Sequence, residues 1–459
     1  VDRPRPALQL RLVSLLRQLV PTRTFRHGVH PPDAKEETAH LPIRQFPFAP
    51  LLTVPLLQHL GTPAVAIVSE GTEVTRGQRI ARPDGFLSVA MHAPASGIVR
   101  RIGLAPSATG RMVPAVDLEP FPASTQEVAE GAPCQLGQTT PADILTAIQE
   151  AGIVGLGGAA FPTHAKLSVP AGKFVDTVIV NGVECEPYLT TDHRVMLEQR
   201  EDIMTGIRYL LAVSGARRAI IGVEANKLDA ADHLRAGVPP DLPCTIEVLR
   251  VKYPQGAEKM LIRALLGREV PSGGLPVDVH AVCINVATTA EIGRLLPHGR
   301  GIQERVVTVG GPAIRRRGNY RVPIGTPLRF LLDTVGVEDD VEAVFLGGPM
   351  MGQAVGDLDV PLTKGVSGVL AFGREHLAAL ERPVYPCIRC GYCVDACPMF
   401  LDPATLGALA RAGRFSDMAT HHHLMDCFEC GACAFVCPAH IPLVQQFRMA
   451  KAAVRKAAH

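Results

Sequence analysis

Four apolar runs, Val175 to Val180, Ala219 to Val223, Thr245 to Val251 and Val279 to Asn285, alternate with stretches in which apolar residues recur at helical spacing. The helical stretches fit 142–151, 194–212, 257–266 and 287–296. Such alternation predicts an α/β domain over 135–300 with a mostly parallel sheet, whose ligand loops leave the carboxyl ends of the strands. Upstream, residues 41–125 break into short apolar pieces at Glu70-Gly71-Thr72, Arg76-Gly77-Gln78, Asp84-Gly85 and Ser96-Gly97, the turn spacing of a small β domain. Downstream, 301–376 return to β character around Val306 to Val309, with one helix expected near 327–335 and Arg315-Arg316-Arg317 on an exposed hairpin. A further unit occupies 377–445, followed by a basic tail over 446–459 that reads as a solvated helix.

The first 40 residues differ from the rest. Leu8, Leu12, Leu15, Leu16 and Leu19 recur at helical spacing with Arg11 and Arg17 between them, the pattern of a basic amphipathic helix. It would lie on an anionic membrane surface, on a partner subunit, or on its own protein. A length of 459 residues suits three or four domains, and 47% hydrophobic residues supply their cores. A net charge of +2 and the absence of Trp give no sign of a nucleic-acid partner. No apolar run is long enough to span a bilayer, so no transmembrane segment is expected.

Candidate chemistry is densest near the C-terminus. Cys387, Cys390, Cys393 and Cys397-Pro398 are repeated as Cys427, Cys430, Cys433 and Cys437-Pro438, the spacing that holds two [4Fe-4S] clusters in bacterial ferredoxins. Three thiolates of each run cap three irons of a cube, and the fourth ligand comes from the opposite run. Cluster 1 therefore takes Cys387, Cys390, Cys393 and Cys437, and cluster 2 takes Cys427, Cys430, Cys433 and Cys397. Structural zinc, the bland alternative, more often pairs two CxxC knuckles. Gly391 and Gly431 sit mid-loop, where a backbone without a β-carbon can approach the sulfides. Cys134, Cys185, Cys244 and Cys283 are scattered singly and read as buried thiols; the pattern fits a reducing compartment, the cytoplasm.

The segment Ala151 to Lys166 is glycine-rich, but it follows a helix rather than the strand of a dinucleotide fingerprint. Gly155, Gly157 and Gly158 can close backbone amides on a phosphate, and Lys166, one turn into the next helix, adds a cation. A merely structural glycine turn remains open at this point.

Three motifs together resemble a known site. Gly157-Gly158-Ala159-Ala160-Phe161-Pro162-Thr163-His164-Ala165-Lys166, Asn181 to Pro187, and Asn285-Val286-Ala287-Thr288 look like the FMN and NADH site in the flavoprotein subunit of respiratory complex I. Val68 to Ile80 with Ala93 to Val99 resembles the barrel-sandwich fold of biotinyl and lipoyl carriers, yet no lysine stands between Lys35 and Lys166 to be acylated. With Phe25-Arg26-His27-Gly28-Val29-His30-Pro31-Pro32 and the terminal ferredoxin unit, the stretch from about 25 to 445 resembles the C subunit of Rnf ion-translocating electron transport complexes.

The resemblance implies a multidomain α/β fold: a barrel-sandwich β domain, a Rossmann-like FMN-binding domain, a β-grasp-like domain and a two-cluster ferredoxin domain. It implies that Gly155, Gly157, Gly158 and Lys166 hold the FMN phosphate, that Asn181 contacts the ring, and that Asn285 and Thr288 support the phosphate or ribityl chain. Glu184, counted with the FMN residues, and Glu186 would face the nicotinamide end, Phe161 would stack on adenine, and Glu258 would meet a ribose. Val183 stands where the complex I flavoprotein has Asp, and Gly256-Ala257-Glu258-Lys259 replaces its double-acid stretch. The implied activity is hydride transfer between NADH and non-covalent FMN, then one-electron steps through the clusters; no catalytic acid or base is named. The implied partners are an iron-sulfur acceptor subunit and integral membrane subunits, with the chain peripheral on the cytoplasmic face of the bacterial inner membrane. A cobalamin-reductase flavoprotein is the rival enzyme, though that family lacks the leading sandwich. A non-enzymatic electron relay is the rival from another class.

Overall fold

The computed structural model describes residues 23–378 and 382–457, so the amphipathic helix expected over Leu8 to Leu19 lies outside the described residues. Residues Thr177–Gly182, Arg218–Glu224, Cys244–Leu249 and Ala281–Asn285 form a parallel four-stranded sheet. Written by order of appearance, the strands lie 3-2-1-4 across it. The strand order therefore reverses between the first strand and the fourth, and that crevice is the ligand position of open α/β sheets.

Local sequence accounts for the flanking helices. Thr140 caps Pro141–Glu150 in a reciprocal box with Asp143, and Gly215 and Gly267 end Arg200–Ser214 and Glu258–Leu266 in the left-handed conformation. The single helix expected over 194–212 is two, Thr191–Glu198 and Arg200–Ser214, with Gln199 between them. Leu228–Ala236 is a helix that the apolar pattern alone did not single out.

The β domain is a sandwich of a four-stranded sheet, ordered Leu52–Pro55, Met112–Pro120, Gly97–Pro106 and Glu73–Val74, and a three-stranded one, Val65–Ala66, Arg79–Arg82 and Met91–His92. Its core is continuous with that of the α/β domain: Met91 and Val89 belong to the same buried cluster as Ile148 and Ile153. The third unit is a six-stranded mixed sheet packed on the helix Leu328–Val335. Its edge strand is Ile43–Gln45, which pairs in parallel with Gly318–Pro323. Residues expected to open the sandwich thus complete a sheet whose other strands lie far downstream. Arg315 and Arg316 are exposed on the connection expected to carry them, and Arg317 is ion-paired with Glu37.

In the last unit, Asp402 caps Pro403–Arg411 by accepting from Ala404 N and Thr405 N, with Pro at the first turn. Leu406, Met418, Leu424, Ile441, Phe447 and Ala450 form its core. The helix Leu443–Ala457 runs through the expected start of the tail at 446. Far from being solvated throughout, it buries Phe447, Ala450 and Lys451, and the Lys451 ammonium binds the Cys427 carbonyl and Glu429.

Candidate functional site

Asn285 ends the fourth strand of the parallel sheet, and its partner in register is Asn181, the last residue but one of the first strand. They therefore stand side by side where the strand order reverses. Asn285 begins the helix Val286–Leu295: its Oδ1 accepts from Ala287 N at 2.9 Å and Thr288 N at 3.2 Å, and its Nδ2 donates to Asp192 at 2.7 Å. Asn181 Oδ1 accepts from Val183 N at 3.0 Å, while Nδ2 donates to Gly256 O at 2.8 Å.

The glycine segment lies over this pair. Leu156 N donates to the buried Thr288 hydroxyl at 2.9 Å, and the buried Arg305 donates to Leu156 O at 2.5 Å. A β-carbon on Gly157 would come within 3.3 Å of Asn285 Nδ2, so a side chain there would require the asparagine to give by a few tenths of an ångström. Gly158 has φ +105 and faces open space, a conformation that favours glycine. Among the described residues, the exposed amides of Gly157, Gly158 and Ala159 have no partner within the chain. Three successive free amides beside a capped helix N-terminus are a fitting cradle for a phosphate.

Lys166, on the short helix Thr163–Leu167, meets Glu258 at the start of the helix Glu258–Leu266, with 2.9 Å between Nζ and Oε1. The two residues expected at the FMN phosphate and at a ribose are thus one ion pair beside Gly256. Glu184 is buried, and its carboxylate accepts from Asp192 N at 2.9 Å and His193 N at 3.4 Å, at the head of Thr191–Glu198. Glu186 accepts from Met351 N at 2.8 Å and Met350 N at 3.0 Å, on a loop of the third unit. Both acids are thus engaged by backbone amides rather than free in solvent. Phe161 is half-buried at the exit of the glycine loop, and its carbonyl accepts from Gly155 N at 2.8 Å.

Several buried polar groups behind the site had no sequence signal. Lys35 donates to the carbonyls of Glu186 and Leu189, and Lys227 pairs with Glu224 at 2.9 Å, both side chains 1% exposed. Asp192 lies among Glu184, Asn285 and Arg305; burial, reinforced by the Glu184 carboxylate, pushes its pKa up to about 7. The native carboxyl then holds its proton more tightly than the unfolded one, whose pKa is about 3.9. This contribution to stability is full below about pH 4 and is lost as pH rises through about 7. Asp192→Asn should therefore leave stability near pH 4 little changed and raise it by a few kcal/mol at about pH 8. Denaturant unfolding at the two pH values measures this, and parallel pH profiles for the two proteins would rule it out.

The eight cysteines of the repeated runs surround two cavities. One is lined by Cys387, Cys390, Cys393 and Cys437. The other is lined by Cys397, Cys427, Cys430 and Cys433. Each cavity takes three thiols from one run and one from the other. Among the described residues, no three His, Cys, Asp or Glu side chains converge on a single-ion position; the thiols instead ring a space, as a cube requires. Left-handed residues recur at equivalent places in the two runs: Arg389 and Glu429, Gly391 and Gly431, Phe400 and His440. The first cavity opens outward, with Cys387 and Cys390 exposed, whereas Cys397, Cys430 and Cys433 of the second are buried.

Residues 148–294 match the Nuo51 FMN-binding domain, 23–120 the RnfC barrel sandwich hybrid domain, and 383–441 a 4Fe-4S dicluster domain. The chain is 41% identical over 438 residues to the C subunit of the proton-translocating ferredoxin:NAD(+) oxidoreductase complex of Clostridium ljungdahlii, covering 95% of each chain. It is 40% identical over 432 residues to the C subunit of the Na(+)-translocating ferredoxin:NAD(+) oxidoreductase complex of Acetobacterium woodii, covering 94% of this chain and 97% of that one. Among solved structures, a chain of an NAD+-reducing [NiFe]-hydrogenase is similar in fold, with TM-score 0.50 and 20% identity over 69% of this chain and 66% of that one.

Proposed function

The chain belongs to the family of C subunits of ion-translocating oxidoreductase complexes, and we propose that it exchanges electrons between NADH and the other subunits of such a complex. Its cofactors are FMN and two [4Fe-4S] clusters. The observation that carries the reading is the register of Asn181 with Asn285 beneath three free glycine-loop amides, at the point where the strand order reverses.

NADH oxidation to NAD+ releases two electrons and one proton; a bound FMN would supply a two-electron hydride acceptor that can give electrons up singly, and bound clusters would supply one-electron carriers. The chain's residues hold and orient. Gly157, Gly158 and Ala159 offer amides to the phosphate, with Gly155 shaping the loop and Lys166 supplying positive charge. Asn181 and Asn285 border the ring and the ribityl side, and Thr288 fixes the loop through Leu156. Glu184 and Glu186 shape the nicotinamide end through the backbone segments they bind, with Phe161 and Glu258 on the adenosine side. Cys387, Cys390, Cys393 and Cys437 ligate one cluster, and Cys427, Cys430, Cys433 and Cys397 the other.

Among the described residues no helix is long and apolar enough to cross a membrane. A peripheral place on the cytoplasmic face, beside an iron-sulfur acceptor subunit and integral membrane subunits, suits the NADH supply and the thiolate-rich composition. The sandwich matched over 23–120 favours this reading over a cobalamin reductase. The test is anaerobic addition of NADH to the chain reconstituted with FMN and iron. Bleaching of the flavin, followed by reduction of the clusters, is expected. A chain that binds no FMN, or that holds zinc in place of iron, would overturn the reading.

A further inference from the structure

The motif Phe25 to His30 takes no part in the site described above, yet it lies between the α/β domain and the ferredoxin unit and holds both. Val29 exchanges two backbone hydrogen bonds with Tyr253, at 2.8 and 2.9 Å, and Lys252 Nζ donates to Phe25 O at 3.1 Å. On the other side, Gly28 N donates to Ala396 O at 3.1 Å. His27 Nδ1 lies 2.6 Å from Asp395 O, and its ring meets Phe400 edge-on at 4.6 Å. Gly28 has φ +81, and a β-carbon there would fall 2.5 Å from Tyr253 O and 2.8 Å from the Phe25 ring. The strap therefore tolerates no side chain at the position where it bridges the two units.

Tyr253 completes the fastening. It is 1% exposed, and its hydroxyl donates to Cys430 O at 2.6 Å. Its ring shares a buried cluster with Val29, Ala396, Cys430 and Ala432, with Cys185 and Met350 at the margin. The same loop reaches the other site within a few residues: Gly256 O accepts from Asn181 Nδ2, and Gly256 N donates to Cys185 Sγ at 3.3 Å. One short loop thus joins the asparagine at the sheet's reversal point to a cysteine of the second cavity.

We propose that Tyr253, braced by the Phe25 to His30 strap, is a positioning residue for electron transfer. It fixes the cavity of Cys397, Cys427, Cys430 and Cys433 next to the flavin site and leaves that of Cys387, Cys390, Cys393 and Cys437 as the outer one. The inference rests on the cofactor assignment above. Tyr253 itself gains and loses neither electron nor proton; the two electrons from NADH pass one to each cluster, and the proton goes to solvent.

The test uses the full chain, reconstituted, as wild type, Tyr253→Phe and Gly28→Val, mixed rapidly with NADH. Flavin content, iron content and the rate of flavin bleaching should be unchanged in Tyr253→Phe. Cluster reduction should slow about five-fold, the population equivalent of one buried hydrogen bond, and Gly28→Val should slow it further. Two readouts separate positioning from mere stability. The electron paramagnetic resonance signal that changes should be the one abolished by Cys427→Ser, and amide exchange should accelerate at residues 395–400 and 430–432. Unchanged cluster reduction and exchange in Tyr253→Phe would overturn the proposal, as would a change confined to the signal abolished by Cys387→Ser. A wild-type chain that NADH does not bleach would instead refute the flavin assignment, and the exchange data would then decide whether Tyr253 holds the loop.

Discussion

Replacing Cys437 with Ser is expected to halve the iron of the reconstituted chain, from about eight atoms to about four. The cluster lost should be the one shared with Cys387, Cys390 and Cys393, although Cys437 follows Cys433 closely in sequence. The reason is geometric: Cys437 lines the cavity of the first run, and Cys397 lines that of the second. Non-additivity supplies the measurement, because ligands of one cluster act as a unit. Adding Cys437→Ser to Cys387→Ser should remove no further iron, whereas adding it to Cys427→Ser should leave almost none. The reverse pattern of iron counts would show that each run keeps its own fourth ligand.

That each cavity is lined by three cysteines of one run and one of the other could be anticipated, because the spacing is a local property that a repeat writes twice. The same holds for the parallel sheet, whose four strands lie within about two residues of the apolar runs that announce them. What the sequence could not disclose are relations between distant segments. Ile43–Gln45 has no sequence signal of its own, and its pairing with Gly318–Pro323 is set by a partner that follows the whole α/β domain. Arg305 reaches Leu156 from another unit. No sequence motif marks Tyr253, whose hydroxyl donates to Cys430 O. Glu184 and Glu186 lie in the motif that draws attention to them, but their carboxylates serve backbone amides at a helix start and on a loop of the third unit. Chain order carried neither fact, since both depend on tertiary placement.

The ion pair between Lys166 and Glu258 sets up the last prediction, because it joins two residues with opposite expected effects on an anionic cofactor. Their side chains are 31% and 33% exposed, so the pair is open enough to rearrange when a phosphate arrives. Lys166→Glu removes the cation and sets two carboxylates face to face. A single charge contact at 4 Å in a partly solvated site is worth up to about 4 kcal/mol. Allowing for screening at this exposure, the reversal should weaken FMN binding by about two orders of magnitude. Glu258→Gln does the opposite: it frees the ammonium from its partner, so FMN affinity should hold or rise by up to about ten-fold, while the KM for NADH rises if the carboxylate serves a ribose. Titration of the flavin-free chain with FMN at low and high salt measures both effects, and the gap between the variants should narrow as salt screens the charges. Full FMN affinity in Lys166→Glu would place the phosphate elsewhere. Equal weakening by both substitutions would show that the pair only supports the fold, since a phosphate that needs Lys166 gains when its competitor is removed.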